Sequence, residues 1–311
     1  MNIIKKIKAH VATMVQVRRL HGIQAVIGVY LSKIPGVPRL FRFLFGGWRI
    51  RTTILGSTMY LDVFDRGLHR KLLLKGIRER MHVEQVRRAV KNGMTGIELG
   101  ANIGYYALLE SQLVGPEGKI ICIEPDPTNL FWLRRHIKEN GFKNLETHQY
   151  LVGDHDGMEK LYLSEFANVH SISPTRGTRG SVDVPMWTLD TCIAERGLRP
   201  EDISFVRMDI EGYEVKAFLG MQRFLQARHP MHILIEFHPD YYEEWGWTFR
   251  QLLEFLKDSG FIIREVALDR YPDGRPGPVL LRNPTIAEVT DSPIFGKGLG
   301  SQAWLERIAS Q

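Results

Sequence analysis

The residues best suited to chemistry begin where an apolar stretch ends in Glu98 and a glycine-rich turn follows. Gly100 and Gly104 let the chain turn sharply and let a ligand contact the backbone before a helix begins. A dinucleotide-binding turn needs glycines at its first, third and sixth positions, which here hold Gly100, Asn102 and Tyr105. Glu98 would also repel a pyrophosphate, whereas a zwitterionic amino acid with a sulfonium tolerates an acid there. The turn therefore predicts S-adenosylmethionine, and not NAD, as its ligand.

A second acid ends the next apolar stretch. Glu124 follows Gly104 by twenty residues and precedes Pro125. An acid at this place can accept hydrogen bonds from both hydroxyls of a ribose. Glu98, Gly100, Gly104 and Glu124 together are a more specific signal than any one of them. The alternative is an ordinary strand–turn–helix unit with a structural glycine.

Two further groups of polar residues end the fourth and fifth predicted strands. Asp209 and Glu211 follow one strand, and Glu236 and His238 lie on one side of the other because side chains alternate along a strand. We expect the four to converge, with His238 as a general base oriented by a carboxylate. Asp209 and Glu211 would bind substrate hydroxyls or, with Glu236, hold a divalent cation. Alternatively, Asp209 and Glu211 cap a helix and His238 is a core residue.

The elements that must position these residues alternate between strand and helix. The hydrophobic pattern predicts strands over 95–99, 119–124, 204–209 and 232–237, and helices over 105–113, 128–140, 214–219 and 249–259. This alternation predicts an α/β fold with a parallel, doubly wound sheet and helices on both faces. Right-handed crossovers then place the carboxyl ends of the strands, where ligands bind, at one edge.

The N-terminal arm differs from the rest in charge. Residues 1–51 contain ten basic and no acidic side chains, although the net charge of the whole chain is only +6. Apolar residues recur at helical spacing near the start, and an aromatic cluster follows. The arm is either a docking element for a membrane surface or lipid-linked substrate, or a basic helix packed on the domain. No apolar run is long enough to span a bilayer, so we predict a cytoplasmic protein whose arm could contact the inner membrane face.

The sequence disfavours several other classes of protein. The position after the fourth strand lacks the Asn/Asp-Pro-Pro-aromatic signature of amino-methyltransferases that act on nucleic acids, and no Gly-x-Ser-x-Gly elbow of a hydrolase is found. An RNA methyltransferase remains an alternative because of the basic arm. A non-catalytic, membrane-associated protein that retains the fold is another. Cys122 and Cys192 lack metal-type spacing, and Cys122 is expected to be a buried, reduced thiol.

Six motifs in order resemble the FkbM-family methyltransferases. They are Gly-Ala-Asn-Ile-Gly-Tyr-Tyr at 100–106, Ile-Glu-Pro at 123–125, Val-Gly-Asp at 152–154, Thr-Leu-Asp at 188–190, Met-Asp-Ile-Glu-Gly-Tyr-Glu at 208–214 and Ile-Glu-Phe-His at 235–238. The resemblance covers roughly residues 55–282. It implies a class I, Rossmann-like fold, S-adenosylmethionine as methyl donor, and O-methylation of a sugar, glycan, glycolipid or secondary-metabolite hydroxyl.

The resemblance also implies roles for individual residues. The cofactor residues carried over by position are Glu98, Gly100, Ala101, Asn102, Gly104, Tyr105, Glu124 and Pro125. Asp154 would lie near the adenine, and Glu79 matches a glutamate that the family often has upstream. Asp209 and Glu211 would lie at the methyl-transfer site, Asp209 also beside the cofactor.

Two departures from the family pattern concern charged residues. The family usually has Asp where Glu98 stands and Lys where Arg207 stands. Arginine cannot serve as a tunable amine, so no basic-catalyst role is assigned to Arg207.

The predicted organisation has three parts. These are a basic helical extension over 1–51, the Rossmann-like methyltransferase domain over 52–284 and a C-terminal tail over 285–311. A loop-rich segment within the domain, over 168–180, contains His170, Arg176 and Arg179 and is expected to close over an acceptor that is acidic or phosphorylated. The oligomeric state is left open.

Overall fold

The computed structural model describes residues 3–65, 67–164, 178–270, 276–295 and 301–308. The helices are α1 (Ile3–His21), α2 (Ile23–Leu31), α3 (Val37–Phe45), α4 (Leu68–Lys75), α5 (Arg80–Ala89), α6 (Tyr105–Val114), α7 (Pro127–Asn140), α8 (Leu189–Ala194), α9 (Glu214–Leu219), α10 (Gln222–Ala227), α11 (Phe249–Asp258) and α12 (Ile286–Thr290). Short 3₁₀ helices cover Pro200–Asp202 and Pro239–Trp245.

The strands are β1 (Arg49–Ile54), β2 (Ser57–Asp62), β3 (Thr95–Leu99), β4 (Lys119–Ile123), β5 (Leu145–His148), β6 (Leu151–Val152), β7 (Gly157–Ser164), β8 (Thr178–Trp187), β9 (Phe205–Met208), β10 (Met231–Phe237), β11 (Ile262–Arg270), β12 (Pro276–Arg282) and β13 (Ser301–Arg307). The predicted strands and helices around the site residues are thus confirmed, with ends that differ by one residue in most cases.

An eight-stranded sheet forms the centre, in the order β12-β11-β13-β10-β9-β3-β4-β5. The strands β10, β9, β3, β4 and β5 are parallel, whereas β13, β11 and β12 pair antiparallel. Arg207 of β9 is in register with Glu98 of β3 and with Leu234 of β10, so the carboxyl ends of these strands reach one edge together. This topology confirms the predicted doubly wound, Rossmann-like α/β fold.

Helices cover both faces of the sheet because successive strand side chains enter two different cores. Ile121 of β4 belongs to the core with α8, α9, α10 and α11, whereas its neighbours Ile120 and Cys122 belong to the core with α4, α5, α6 and α7. The continuously apolar strand therefore matches a sheet that is buried on both sides. Cys122 and Cys192 are buried and unpaired, as expected for Cys122.

The C-terminal segment requires a correction of the predicted organisation. Residues 285–311 are predicted to be a tail, but β13 lies inside the sheet between β10 and β11. Arg307 anchors the strand by donating hydrogen bonds to the carbonyl oxygens of His229 (2.7 Å) and Phe224 (2.9 Å). An antiparallel strand that pairs with partners far away in sequence carries no local signal of its position, so the boundary at residue 284 divides one sheet.

The N-terminal arm combines packed and exposed parts. Val17 of α1 and Ala25 of α2 are buried in the same core as α4, so these helices are held on the domain. Helix α3, by contrast, presents several large apolar side chains to solvent. In the part of the chain that the structure describes, no helix has both the length and the apolar character to cross a bilayer.

Candidate active site

The turn after β3 brings two loops of the chain into direct contact. Gly100 has a φ of +79°, and a Cβ added to it would lie 2.1 Å from the carbonyl oxygen of Asp209. Any side chain at position 100 would therefore collide with the backbone that follows β9. Asn102 also has a positive φ, +49°, although it is not glycine. The left-handed conformation at two positions bends the chain across the carboxyl ends of β3 and β9.

Glu124 organises the neighbouring loop. Its carboxylate accepts hydrogen bonds from the backbone N–H groups of Asn102 (2.7 Å) and Asp126 (2.9 Å). Asp126 in turn accepts from the N–H of Asn129 and caps α7. Burial raises the pKa of Glu124 to about 7, and the two backbone donors oppose that shift. Glu124 is thus a fixed, nearly buried acceptor at the end of β4.

An open cleft of about 860 Å³ lies over these strand ends. The predicted site residues that line it are Gly100, Asn102, Glu124, Pro125, Asp209 and Glu211. Its apolar wall includes the side chains of Tyr150, Leu161, Tyr213, Tyr241 and Trp245. A mostly apolar cleft with a few convergent polar groups is typical of a binding site for a small organic molecule.

The other predicted cofactor residues lie around this cleft. Glu98, Ala101 and Tyr105 line a smaller cavity of about 390 Å³, which shares Gly100, Asn102 and Asp209 with the large cleft. Gly104 lies at the start of α6 with a φ of +95°. The smaller cavity thus continues the large one toward β9 and α6.

Glu98 does not stand free at the end of β3. Its side chain is 1% exposed and forms an ion pair with Arg207, at 2.6 Å between Oε1 and Nη1. The Arg207 guanidinium also stacks on the ring of Tyr106, 3.6 Å from its centroid. Burial raises the pKa of Glu98 to about 7, while Arg207 pulls it down. The two departures from the family pattern are therefore the two halves of one buried ion pair.

Glu79 and Asp154 line neither cavity. Glu79 has a φ of +50°, contacts Arg78 and accepts a hydrogen bond from the Tyr106 hydroxyl (2.9 Å). Asp154 forms an ion pair with Lys216, at 2.6 Å. Glu79 therefore holds residues of the smaller cavity in place, and the predicted contact of Asp154 with an adenine stays a prediction.

The acids and the histidine of the fourth and fifth parallel strands meet beside the cleft, which Asp209 and Glu211 line. Asp209, Glu236 and His238 each offer one ligand atom, and these atoms lie within 4.8 Å of one another. Glu211 joins them through its Oε2, 3.6 Å from Nε2 of His238. Like Glu79 and Asn102, Glu211 has a positive φ (+52°), a conformation that costs a non-glycine residue about 1 kcal/mol or more. The predicted convergence of these four residues is observed.

The alternative roles suggested for these residues do not match the geometry. Helix α9 has Tyr213 at its N-cap position, without a side-chain capping bond from Asp209 or Glu211. His238 faces acids and not an apolar core, because its Nδ1 lies 2.9 Å from Oε1 of Glu214. Burial lowers the pKa of His238, but Glu214 and the other carboxylates outweigh burial and raise it well above 6.5. Burial and neighbouring Asp209 raise the pKa of Glu211 to about 8.

Sequence reasoning assigned no role to several residues at the site. Glu214 fixes the His238 ring, and Arg78 lies 3.6 Å from Oε2 of Glu236. Glu214 belongs to the motif over 208–214, and Arg78 directly precedes Glu79, so these neighbours were the available signal. The aromatic residues Tyr241 and Trp245 line the cleft from the 3₁₀ helix after β10, which no local pattern connects to the site.

The predicted closing loop over 168–180 lies mostly outside the described residues. His170 and Arg176 lie outside the described residues, and of Arg179 only the backbone, in β8, is described. Its role as a cover over the acceptor therefore stays a prediction.

Several solved structures are similar to this chain. A SAM-dependent methyltransferase from Aquifex aeolicus is 15% identical, with 75% of this chain and 94% of that chain covered and a TM-score of 0.40. TYW2 from M. jannaschii in complex with AdoMet is 16% identical, with 84% and 88% covered and a TM-score of 0.41. An O-methyltransferase from Thermotoga maritima is 12% identical, with 85% and 79% covered and a TM-score of 0.39. At such low scores these likenesses add nothing to the topology described above.

No curated protein matches the sequence. The family model described as the methyltransferase FkbM domain, however, matches residues 98–263, which is just over half of the chain and runs from the end of β3 into β11. The matched segment contains the glycine turn, Glu124 and the cluster of Asp209, Glu211, Glu236 and His238. The chain therefore belongs to the FkbM family of class I methyltransferases, which use S-adenosylmethionine as methyl donor.

Proposed function

We propose that the protein transfers a methyl group to a hydroxyl oxygen of a sugar, a glycan or glycolipid, or a secondary metabolite. The observation that carries this proposal is the cluster of Asp209, Glu211, Glu236 and His238 beside the cofactor turn. Carboxylates and an imidazole accept hydrogen bonds from hydroxyl groups, and one of them can take up the hydroxyl proton.

The cofactor half of the cleft fits an adenosine-bearing donor. In the proposal, the Glu124 carboxylate accepts hydrogen bonds from the ribose hydroxyls, and Gly100 and Asn102 present backbone to the amino-acid part. Pro125 and the apolar wall flank the base, with Asp154 further out. S-adenosylmethionine supplies an electrophilic methyl group on a sulfonium. The protein's contribution is to hold the acceptor oxygen in line and to exclude water.

The neutral form of His238 is the proposed proton acceptor, because Glu214 fixes the ring at Nδ1 and leaves Nε2 directed toward Glu211. Its raised pKa makes this form a stronger base, which must first have lost its own proton. Asp209, Glu211 and Glu236 would bind further hydroxyls of the acceptor. A sugar carries several adjacent hydroxyl groups and therefore matches a site with several acceptors.

The test is methyl transfer from labelled S-adenosylmethionine to three acceptor pools: free sugars and glycosides, extracted glycolipids, and total RNA. We expect label in a hydroxyl-bearing pool and none in RNA. Labelling of RNA alone would overturn the proposal in favour of the RNA alternative suggested by the basic arm. Binding of S-adenosylhomocysteine without transfer to any pool would favour the non-catalytic alternative.

We also propose that the arm contacts an anionic membrane through α3. Phe41 attaches this helix to the body by contacts with Trp48 (5.7 Å between ring centroids) and Phe64 (5.4 Å). The exposed side holds Phe43, 87% exposed, and Phe45, 70% exposed. Leu40 and Leu44 are also exposed, and the basic residues Lys33 and Arg39 lie exposed nearby.

This surface has the composition of an interfacial anchor. Each phenylalanine that leaves water contributes about 1.5–3 kcal/mol, and each basic residue near anionic lipid about 1 kcal/mol. A membrane-bound enzyme would meet a glycolipid acceptor directly, which connects the arm to the proposed chemistry. In this role α3 contacts the lipid, while α1 and α2 hold it on the domain.

Sedimentation with vesicles tests this contact. We expect binding to vesicles that contain phosphatidylserine, weaker binding to purely zwitterionic ones, and a more than tenfold loss for the double variant Phe43→Ser, Phe45→Ser. The matched control is Phe131→Ser, because Phe131 is an exposed phenylalanine on α7, outside the arm. Equal binding of both variants would refute a role for α3.

A further inference from the structure

The three side chains of Asp209, Glu236 and His238 form a set of ligands from two neighbouring strand ends. Their ligand atoms lie within 4.8 Å of one another. A divalent cation with bonds of about 2.2 Å spans roughly 4.4 Å between ligands on opposite sides. The set therefore needs to contract by only a few tenths of an ångström to surround one ion.

His238 is oriented as a metal ligand is. Its Nδ1 lies 2.9 Å from Oε1 of Glu214, a carboxylate whose side chain is fully buried. A metal-bound histidine usually donates its other ring N–H to such a carboxylate, which fixes the ring and its tautomer. The Nε2 atom of His238 is then left for the interior of the cluster. Glu214 thus serves as the supporting carboxylate of a carboxylate–histidine–metal arrangement.

Glu236 provides a second, independent indication of a missing cation. Glu236 is only 8% exposed, and its Oε2 accepts no hydrogen bond from the described part of the chain. The cation nearest to that oxygen in the described structure is Arg78, whose Nη2 is 3.6 Å away, beyond hydrogen-bonding distance. A buried carboxylate that is neither hydrogen-bonded nor closely paired is costly.

The local balance of charge points the same way. Asp209, Glu211 and Glu236 are three acids in one cluster, and the closest ion pair of Arg207 is with Glu98, at 2.6 Å. Arg207 also reaches Asp209, but only at 3.4 Å, and Arg78 lies 3.6 Å from Glu236, so neither arginine forms a close ion pair with these acids.

We propose that Asp209, Glu236 and His238 bind one divalent cation of the Mg²⁺ or Mn²⁺ type, which also coordinates the acceptor hydroxyl. Mixed carboxylate and imidazole ligands suit such an ion. Nε2 of His238 cannot coordinate a metal and accept a proton together. The proton of the acceptor would then pass to Glu211, whose Oε2 lies 3.6 Å from Nε2 of His238. The binding of the ion is independent of the proposed function, and only the contact with the acceptor rests on it.

The experiment is a titration of the full chain with Mn²⁺ after treatment with EDTA and removal of the chelator, with free Mn²⁺ measured by electron paramagnetic resonance. We expect one bound ion per chain and at least a tenfold loss of affinity in Glu236→Gln and in His238→Asn. The matched control is Glu243→Gln, an exposed acid in the 3₁₀ helix after β10, which should bind as the unaltered chain does. Titration with S-adenosylhomocysteine verifies that each variant is folded.

The outcomes separate this proposal from the proposed function. A chain that binds S-adenosylhomocysteine but no Mn²⁺ at millimolar concentration overturns the metal site, whatever its methyl acceptor is. Binding that is equal in the unaltered chain and in the double variant Glu236→Gln, His238→Asn overturns the location. One bound ion that depends on both residues supports the site, even if every hydroxyl acceptor fails.

Discussion

The two halves of the cleft differ in how their charges are satisfied. On the side of β3 and β4, Glu98 is paired with Arg207, and Glu124 accepts two backbone hydrogen bonds. On the side of β9 and β10, Asp209, Glu211 and Glu236 lie close together with His238. The arginines reach these acids only at longer distances, Arg207 at 3.4 Å from Asp209 and Arg78 at 3.6 Å from Glu236. The side of the cleft on which every acid already has a partner can receive a neutral or zwitterionic ligand without rearrangement. A half with unbalanced acids requires a proton, a cation or an acceptor to complete it.

The largest expected effect comes from breaking the buried ion pair between Arg207 and Glu98. Arg207→Met leaves Glu98 charged or forces it to bind a proton inside the sheet, so we expect the free energy of unfolding to fall by about 3–5 kcal/mol. Urea denaturation at pH 7.5 measures this loss.

The control for Arg207 is an ion pair of similar length that is less buried. Arg88 is half exposed and pairs with Glu265 at 2.5 Å, and Arg282 lies 3.7 Å from the same acid. Arg88→Met should therefore cost about 1 kcal/mol or less. Similar losses of stability in both variants would show that the buried Arg207–Glu98 pair stabilises the fold no more than a partly exposed pair does.

The next effect concerns the unbalanced half. We expect His238→Ala to lower the rate of methyl transfer about 100-fold or more, whether its imidazole accepts the proton or binds a cation. Binding of S-adenosylhomocysteine should stay within about twofold, because His238 does not line the cofactor cleft. A variant with full turnover would exclude both roles.

A smaller effect is expected at the ribose position. Glu124→Ala removes the proposed acceptor of two hydroxyl groups and should weaken S-adenosylhomocysteine binding about 10- to 100-fold, or about 1.4–2.7 kcal/mol. Calorimetric titration measures the change. Glu244→Ala, an exposed acid that also lines the cleft, is the control and should change the affinity little. Unchanged affinity in Glu124→Ala would remove Glu124 from the cofactor site.

The smallest effect is a pH dependence of the same binding. Burial raises the pKa of Glu124 to about 7, so its carboxylate is mostly protonated at pH 6 and mostly ionised at pH 8. The ionised form is the better acceptor for ribose hydroxyls, and affinity should therefore increase with pH, by at most about tenfold over this interval. Glu124→Gln cannot ionise and should show a flatter profile. Equal slopes in both proteins would assign the dependence to another group.

Local signals were enough to predict the cofactor half. The sequence 95–106 contains its own strand, turn and helix start, and β3 begins and ends at the predicted residues. Position 100 requires glycine because its φ is positive and the backbone of Asp209 lies close to it, and sequence patterns detect such a glycine well. The convergence of Asp209 and His238 also followed from the rule that parallel strands end at one edge, combined with alternation along β10.

Only the tertiary structure could decide which charges are paired. The sequence by itself determined the order of strands and helices, the glycine turn after β3 and the acids at the strand ends, because these depend on neighbours in the chain. It could not show that Glu98 forms an ion pair with Arg207, that Glu214 hydrogen-bonds His238, or that Ser301–Arg307 is a strand inside the central sheet. Those contacts join residues far apart in sequence, and the energy of each depends on burial and on distances of a few ångströms, which exist only once the sheet has formed.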